Sequence, residues 1–181
     1  MKKRITFLTG TRADFGKLKA LMLKLKQSPH FDLRIFVTGM HLNATYGGTV
    51  HEIEKCGFEH IYSFINHGHT FNMDQTLAQT IQGFSNYIQQ NPTDLIVVHG
   101  DRVEALAGAL VGSLNNIRVA HVEGGELSGT IDEMFRHAIT KLSRMHFVAT
   151  NTQPLHQMLA GIEKLHMRPR HLHLMMQLIQ M

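Results

Sequence analysis

Two stretches of the chain are apolar almost without a break, residues 95–98 and 119–122, and each runs into acid: Asp101 in DLIVVHGDR and Glu123 in VAHVEGGELSG. A strand with one face in water alternates apolar and polar positions. A continuous run is covered on both faces, as in parallel strands sandwiched between helices. Burying an unpaired charge is expensive, so acids that end such strands belong at the carboxyl edge of the sheet. That edge is where open α/β sheets bind their ligands. A third acid, Asp132, opens the helical segment in GTIDEMFRHAITK.

The start of the chain repeats the pattern. Residues 4–9 read as a short apolar strand, and Gly10-Thr11-Arg12-Ala13-Asp14-Phe15-Gly16 turns it into a helix on which Leu18, Leu21, Met22 and Leu25 recur at helical spacing. Gly10 permits a sharp turn, Asp14 suits an N-cap or first turn, and open N–H groups at the helix start attract anions, with Arg12 adding a fixed positive charge. This is the design of a phosphate cradle. The turn holds neither GxGxxG nor GxxxxGK[ST], which argues against ordinary dinucleotide-binding and P-loop proteins.

Further along, a strand is predicted over 33–38 with Gly39-Met40-His41 at its carboxyl end, then a short helix running through Cys56 and stopped by Gly57. Residues 63–74 read as a mobile loop long enough to lie over a ligand. A helix over 75–90 ends at Asn91-Pro92, an alanine- and glycine-rich helix over 103–114 suits close packing on a sheet, and a helix over 131–143 precedes a strand over 146–149. The expected fold is three-layer α/β: a parallel sheet within 4–149, helices on both faces, and Gly10, Gly39, Gly100 and Gly124 near the ligand edge.

At 181 residues the chain suits one such domain and is too short for two. An apolar content of 43% with 18% charged residues describes a globular protein. The formal charge of +4 is modest, and the basic residues lack interleaved aromatics, so they read as a solvated helix face and no nucleic-acid partner is expected. Cys56 is the lone cysteine, and the apolar run after Met1-Lys2-Lys3-Arg4 breaks at Gly10 and Arg12, unlike a signal peptide. A reducing cytoplasm is the expected compartment. No apolar stretch reaches bilayer-spanning length, so no membrane partner is expected either.

Each candidate also has a plainer role. Asp101 is placed either to cap the helix beginning near Arg102 or to do acid–base chemistry. Glu123 sits poorly in a glycine turn unless it has a partner, which points to function. Asp132 either complements a helix dipole or acts as an acid or base. His99, His121 and His137 read equally as hydrogen-bonded packing residues. His67 with His69, and His171 with His173, show an HxH spacing, but no third ligand can be named and no metal is assigned.

The strings TGTRADFGKLK, VTGMH, VVHGDR, HVEGGELSGTIDEMFRH and KLS, in this order and spacing, resemble the hydrolysing UDP-N-acetylglucosamine 2-epimerases, in particular the bacterial enzymes that make N-acetylmannosamine for sialic acid and capsule synthesis. The resemblance covers roughly residues 2–150. It implies the first of two Rossmann-like domains of a glycosyltransferase-B-like fold, with the nucleotide sugar in the cleft between them. On this reading residues 1–150 are the N-terminal domain and 151–181 a divergent tail, the second domain being absent. The family's GSP-type loop is missing there, Gly161-Ile162-Glu163-Lys164 only faintly echoes its continuation, and Met158, Met167, Met175, Met176 and Met181 crowd the segment. A truncated or frameshifted product is expected, the alternative being a natural single-domain relative.

The resemblance also implies the chemistry. Asp101, Glu123 and Asp132 would be the acid–base groups, Asp132 standing where the family often has glutamate and the sialic-acid branch aspartate. Gly10, Arg12, Arg102, Gly124, Gly125 and Arg136 would bind UDP-N-acetylglucosamine, with Arg12 meeting the diphosphate and Arg136 orienting a carboxylate or the sugar. Mutual repulsion among the three acids would raise their pKa toward neutrality. Such a route needs no nicotinamide and no metal, and the full-length family allows a homo-oligomer. Competing readings are a non-catalytic nucleotide-sugar-binding or interaction module, a glycosyltransferase-like domain, and a hydrolysing epimerase acting on a diacetamido UDP-sugar.

Overall fold

Among the described residues seven strands, β1 (Lys3–Thr9), β2 (Phe31–Val37), β3 (His60–Ser63), β4 (Leu95–His99), β5 (Arg118–Val122), β6 (Met145–Phe147) and β7 (Leu165–Met167), form one parallel sheet in the order β3-β2-β1-β4-β5-β6-β7. The helices are α1 (Arg12–Lys26), α2 (Val50–Glu54), α3 (Met73–Gln90), α4 (Val103–Leu114) and α5 (Ile131–Leu142). The computed structural model describes residues 2–67, 72–124, 129–148 and 165–167.

The unbroken apolar runs are explained by two cores, one on each side of the sheet. Ile5, Phe7, Ile35, Leu95 and Val97 face α1 through Phe15, Leu18, Met22 and Leu25, and the next residue along each strand faces the other way. Leu8, Phe36, Ile96, Val98 and Val119 pack on α3 and α4 through Phe84, Tyr87, Ala105 and Ala109, with Ile139 of α5 alongside. Helix α4 lies so close that a Cβ on Gly108 would stand 2.8 Å from Val98 Cγ1. That approach is the reason for its small residues.

The three-layer fold, the helix over 103–114 and the strands carrying the candidate acids stand as the sequence predicts. Three details differ. β3 was not anticipated: it is an edge strand whose side chains are mostly exposed, so no buried run marks it. The predicted loop over 63–74 is anchored in its first part, where the Asn66 side chain is buried, accepts from the Gly39 N–H at 3.1 Å and donates to Thr80 Oγ1 at 2.8 Å. Residues 68–71, with His69, lie outside the described residues. Beyond residue 150 the sheet gains β7, which pairs in parallel with β6. Ala149, the rest of the tail and its methionines, and the pair His171 and His173 also fall outside the described residues.

Candidate active site

The sheet order places β1 beside β4, whose chains leave in opposite directions, β1 toward β2 and β4 toward β5. Adjacent loops diverge there and open a crevice at the carboxyl edge, the topological switch point of doubly wound folds. Gly10 follows β1, Gly100 and Asp101 follow β4, and Glu123 follows β5. The Gly100 N–H donates to the Val122 carbonyl at 2.9 Å, so the turns carrying Asp101 and Glu123 are neighbours at one edge.

The turn after β1 is closed by its own helix. Thr11 is the N-cap of α1, its Oγ1 accepting from the Asp14 N–H at 3.2 Å, while Asp14 Oδ2 accepts from the N–H groups of Thr11 at 3.0 Å and Gly10 at 3.3 Å. This is a capping box with aspartate in the third helical position. It revises the expected cradle, because Asp14 already occupies two of the N–H groups proposed for an anion. Arg12 pairs with Glu52 of α2 at 3.1 Å and remains largely exposed.

Asp101 and Glu123 are paired with bases, not with one another. Asp101 does not cap α4, whose N-cap is Arg102 without a side-chain bond; its carboxylate joins Arg136 of α5 in an ion pair. Arg136 is buried, one helical turn after Asp132, and its carboxylate partner in the structure is Asp101. Glu123 Oε1 receives Lys17 Nζ of α1 at 3.0 Å, and Oε2 lies 3.2 Å from His99 Nε2. Partial burial pushes the Glu123 carboxyl up, but the Lys17 hydrogen bond and the positive charge of His99 and Lys17 together hold it below the ordinary glutamate value. The expected upward tuning by like-charge repulsion is therefore corrected for Glu123: in this structure cations prevail. Asp132 is exposed in the first turn of α5, where Glu133, not Asp132, accepts from the Gly129 N–H at 2.6 Å. Arg102 is exposed, with Nε 3.7 Å from Glu104 Oε2. Gly124 is buried where a Cβ would meet His121 Nδ1 at 2.7 Å, and Gly125 lies outside the described residues.

Glu123 also bends the backbone. Its φ of 58° is left-handed, a conformation that costs a residue with a Cβ roughly 1–2 kcal/mol. Its N–H is fixed on the Phe147 carbonyl of β6 at 2.8 Å. Strain of this kind persists where the surroundings over-determine it, and commonly marks a working residue.

One group was read only as a packing residue, and another escaped the sequence reading. His99 ends β4 with Nδ1 3.4 Å from Asp14 Oδ1 as well as Nε2 near Glu123, so it lies between two carboxylates. Glu104, in the first turn of α4, is buried against Gly10 and Gly39 at the floor of the crevice. A first-turn glutamate reads as a dipole partner, and nothing in its local pattern signals burial. His121, by contrast, is the packing residue anticipated: Nε2–H donates to the Gly100 carbonyl at 2.7 Å, leaving Nδ1 to accept from Thr140 Oγ1 at 3.1 Å. Among the described residues no three His, Cys, Asp or Glu side chains gather as a metal set, and no helix is long and apolar enough to cross a membrane. A cavity of about 440 Å³ lies at the other end of the sheet, near Lys2, Lys26, Phe31, Phe58 and His60, and contains none of the candidates.

The sequence pattern of the UDP-N-acetylglucosamine 2-epimerase family matches residues 23–164. The chain is 44% identical over 172 residues to the UDP-N-acetylglucosamine 2-epimerase of Neisseria meningitidis serogroup B, covering 95% of this chain and 44% of that protein. It is 44% identical over 155 residues to the UDP-N,N'-diacetylbacillosamine 2-epimerase (hydrolyzing) of Legionella pneumophila, covering 83% of this chain and 41% of that one. The chain thus spans less than half the length of either relative. A crystal structure of UDP-GlcNAc 2-epimerase from Neisseria meningitidis bound to UDP-GlcNAc superposes with a TM-score of 0.80 at 18% identity, over 91% of this chain and 45% of that one, which shows the shared fold. With a family match across most of its length on a Rossmann-like domain of this type, the chain belongs to the UDP-N-acetylglucosamine 2-epimerase family.

Proposed function

We propose that this domain carries one wall of the active site of a hydrolysing UDP-N-acetylglucosamine 2-epimerase that yields N-acetylmannosamine and UDP for sialic acid or capsule synthesis. The observation that carries the reading is Glu123: a residue held in strained backbone at the switch-point edge, its carboxylate turned between Lys17 and His99. In the proposed reaction a carboxylate removes the C2 proton, the C1–O bond to UDP breaks to leave a 2-acetamidoglucal, and water adds at C1 as a proton returns to C2 from the opposite face. Substrate and water are consumed, and N-acetylmannosamine and UDP are released. Asp101, Glu123 and Asp132 are the proposed acid–base groups, each step drawing roughly a hundred- to ten-thousand-fold from such a group. Arg136 holds Asp101 in place, and Arg12, on an exposed and displaceable pair with Glu52, is the proposed diphosphate contact.

The test is to incubate the purified chain with UDP-N-acetylglucosamine and measure UDP and N-acetylmannosamine, while following amide resonances of Gly10, Gly100 and Glu123. Because the relatives extend well beyond the matched region, the 181-residue chain alone is expected to bind weakly and turn over far below the usual range of about 1–1,000 per second. Weak binding that moves those three resonances, abolished by Arg12→Ala, supports the reading. No perturbation at millimolar UDP-sugar overturns it. The Legionella relative, matched at equal identity, favours a second substrate reading, a diacetamido UDP-sugar. Comparing binding of the two sugars decides between them.

A further inference from the structure

Of the carboxylates at the carboxyl edge of the sheet, Asp14 accepts from the N–H groups of Gly10 and Thr11, Asp101 from Arg136, and Glu123 from Lys17. Glu104 is different. It is only 4% exposed, and its Oε2 is buried with no hydrogen-bond partner among the described residues. The Arg102 guanidinium comes no closer to it than 3.7 Å, from a side chain that is 43% exposed, and makes a loose ion pair that supplies no hydrogen bond.

The carboxylate is directed at the switch-point crevice. From the first turn of α4 it reaches the turns that follow β1 and β2: a Cβ on Gly10 would stand 3.2 Å from its Cδ, and one on Gly39 2.7 Å from its Oε1. Neither turn has an N–H to give it there. The Gly39 N–H already donates to Asn66 Oδ1, and the Gly10 N–H to Asp14. The start of α4 eases the burial of negative charge through the helix dipole, but a dipole does not replace the hydrogen bonds that water made. A buried acceptor without a donor lowers stability, and departures of this kind collect where a protein meets its ligand.

We infer that Glu104 is a sugar-binding, specificity-determining residue whose carboxylate accepts hydrogen bonds from hydroxyl groups of the hexosamine ring. The diphosphate is the wrong chemistry for it, since a phosphate brings negative charge and no donor. Sugar hydroxyls bring donors, and two neighbouring ones match the two carboxylate oxygens. The inference rests on the proposed function for its choice of ring: Asp101, three residues earlier in the turn that leads into α4, works there on the hexosamine, which brings that ring and not the ribose within reach of Glu104. A site built to bond a hydroxyl rejects an analogue that lacks it, because the buried acceptor is then left alone again.

The test compares the 181-residue chain with Glu104→Met and Glu104→Gln, in urea unfolding and in binding. Glu104→Met removes a buried charge that has no donor, so the unfolding equilibrium constant should fall about threefold or more. A rise in that constant in both variants would show that the fold depends on the carboxylate, and would overturn the inference. Binding is followed by the Gly10 and Gly39 amide resonances with three probes: UDP-N-acetylglucosamine, N-acetylglucosamine 1-phosphate, which has the hexosamine alone, and UDP, which has the ribose alone. Glu104→Met should weaken both hexosamine probes about tenfold and leave UDP within about twofold, and Glu104→Gln, which keeps one acceptor oxygen, should fall between. An equal loss for UDP would give the donor to the ribose and overturn the assignment. Unchanged affinity for all three probes would overturn the inference and leave the proposed function standing, whereas no binding of any probe by the parent would overturn both.

Discussion

Replacing His121 by glutamine should make this domain less sensitive to acid. The His121 ring is fully buried, and burial depresses its pKa against the opposing bond to Gly100, with further lowering from His146, His99 and Arg136, from 6.5 to about 3. The folded state therefore refuses a proton that the unfolded chain accepts below 6.5. Because the unfolded state binds more protons in that window, stability is complete above 6.5 and falls as pH falls toward 3, at about 1.36 kcal/mol per unit. Over the whole window this amounts to about 5 kcal/mol, and between pH 7 and pH 5 to about 2 kcal/mol. A glutamine amide can still donate to the Gly100 carbonyl and accept from Thr140, but it does not titrate. Urea unfolding followed by circular dichroism at pH 7 and pH 5 should show the parent losing about 2 kcal/mol more than His121→Gln. Other acid-sensitive groups, His41 lowered by burial and the carboxylates of Asp94 and Glu123, are common to both proteins and cancel. Equal losses in parent and variant would refute the argument.

Arg136→Met should cost about 2–3 kcal/mol in the same assay, because it strands the partly buried Asp101 carboxylate, and adding Asp101→Asn should restore most of it. Failure of the second change to rescue would show that Arg136 acts by packing. Gly108→Val should destabilise by about 1–3 kcal/mol, since the new side chain meets Val98 and Leu8 on the sheet; an unchanged urea midpoint would mean that α4 can lift. Glu123→Gly relieves a left-handed residue and gives up an ion pair whose lysine is largely exposed, so stability should stay within about 1 kcal/mol of the parent while UDP-sugar binding falls. A large loss of stability with binding intact would make Glu123 a structural residue.

The sheet was legible because its central strands cannot be anything else: an almost unbroken apolar run needs cover on both faces, and the acids that follow must surface at an edge. β3 was not, because His60, Tyr62 and Ser63 are exposed on an edge strand and leave no periodic signature. For the site, position was legible and partnership was not. Asp101 and Glu123 stand at the predicted edge, but Lys17 lies 106 residues from Glu123 in sequence and looks like any other lysine on a basic helix. Likewise Asp14 reads correctly as a first-turn residue from local pattern, and only the fold brings its second oxygen to His99. Arg136 entered only through the family resemblance, and the tertiary structure pairs it with Asp101. Local rules find caps and strand ends; ion pairs between elements depend on how helices are laid over the sheet.

The two cations at the edge are not equivalent, and the difference bears on how Glu123 responds to a ligand. Arg136 has a side chain 10% exposed and is fixed on Asp101, whereas Lys17 is 62% exposed on a flexible stem. An anionic diphosphate entering the crevice competes for Lys17 far more easily than for Arg136. Once Lys17 turns away, burial, the largest single influence on Glu123, is opposed by His99 alone, and the carboxyl pKa rises. Binding of UDP should therefore be linked to proton uptake in the acid range. Calorimetric titration of UDP into the chain near pH 5, in buffers of different ionisation enthalpy, should show uptake of a fraction of a proton. The uptake should shrink in Lys17→Met, where Glu123 has already lost its cation, and vanish in Glu123→Gln. Binding with no buffer dependence would mean that Lys17 stays on Glu123 and that the diphosphate is met elsewhere on the edge.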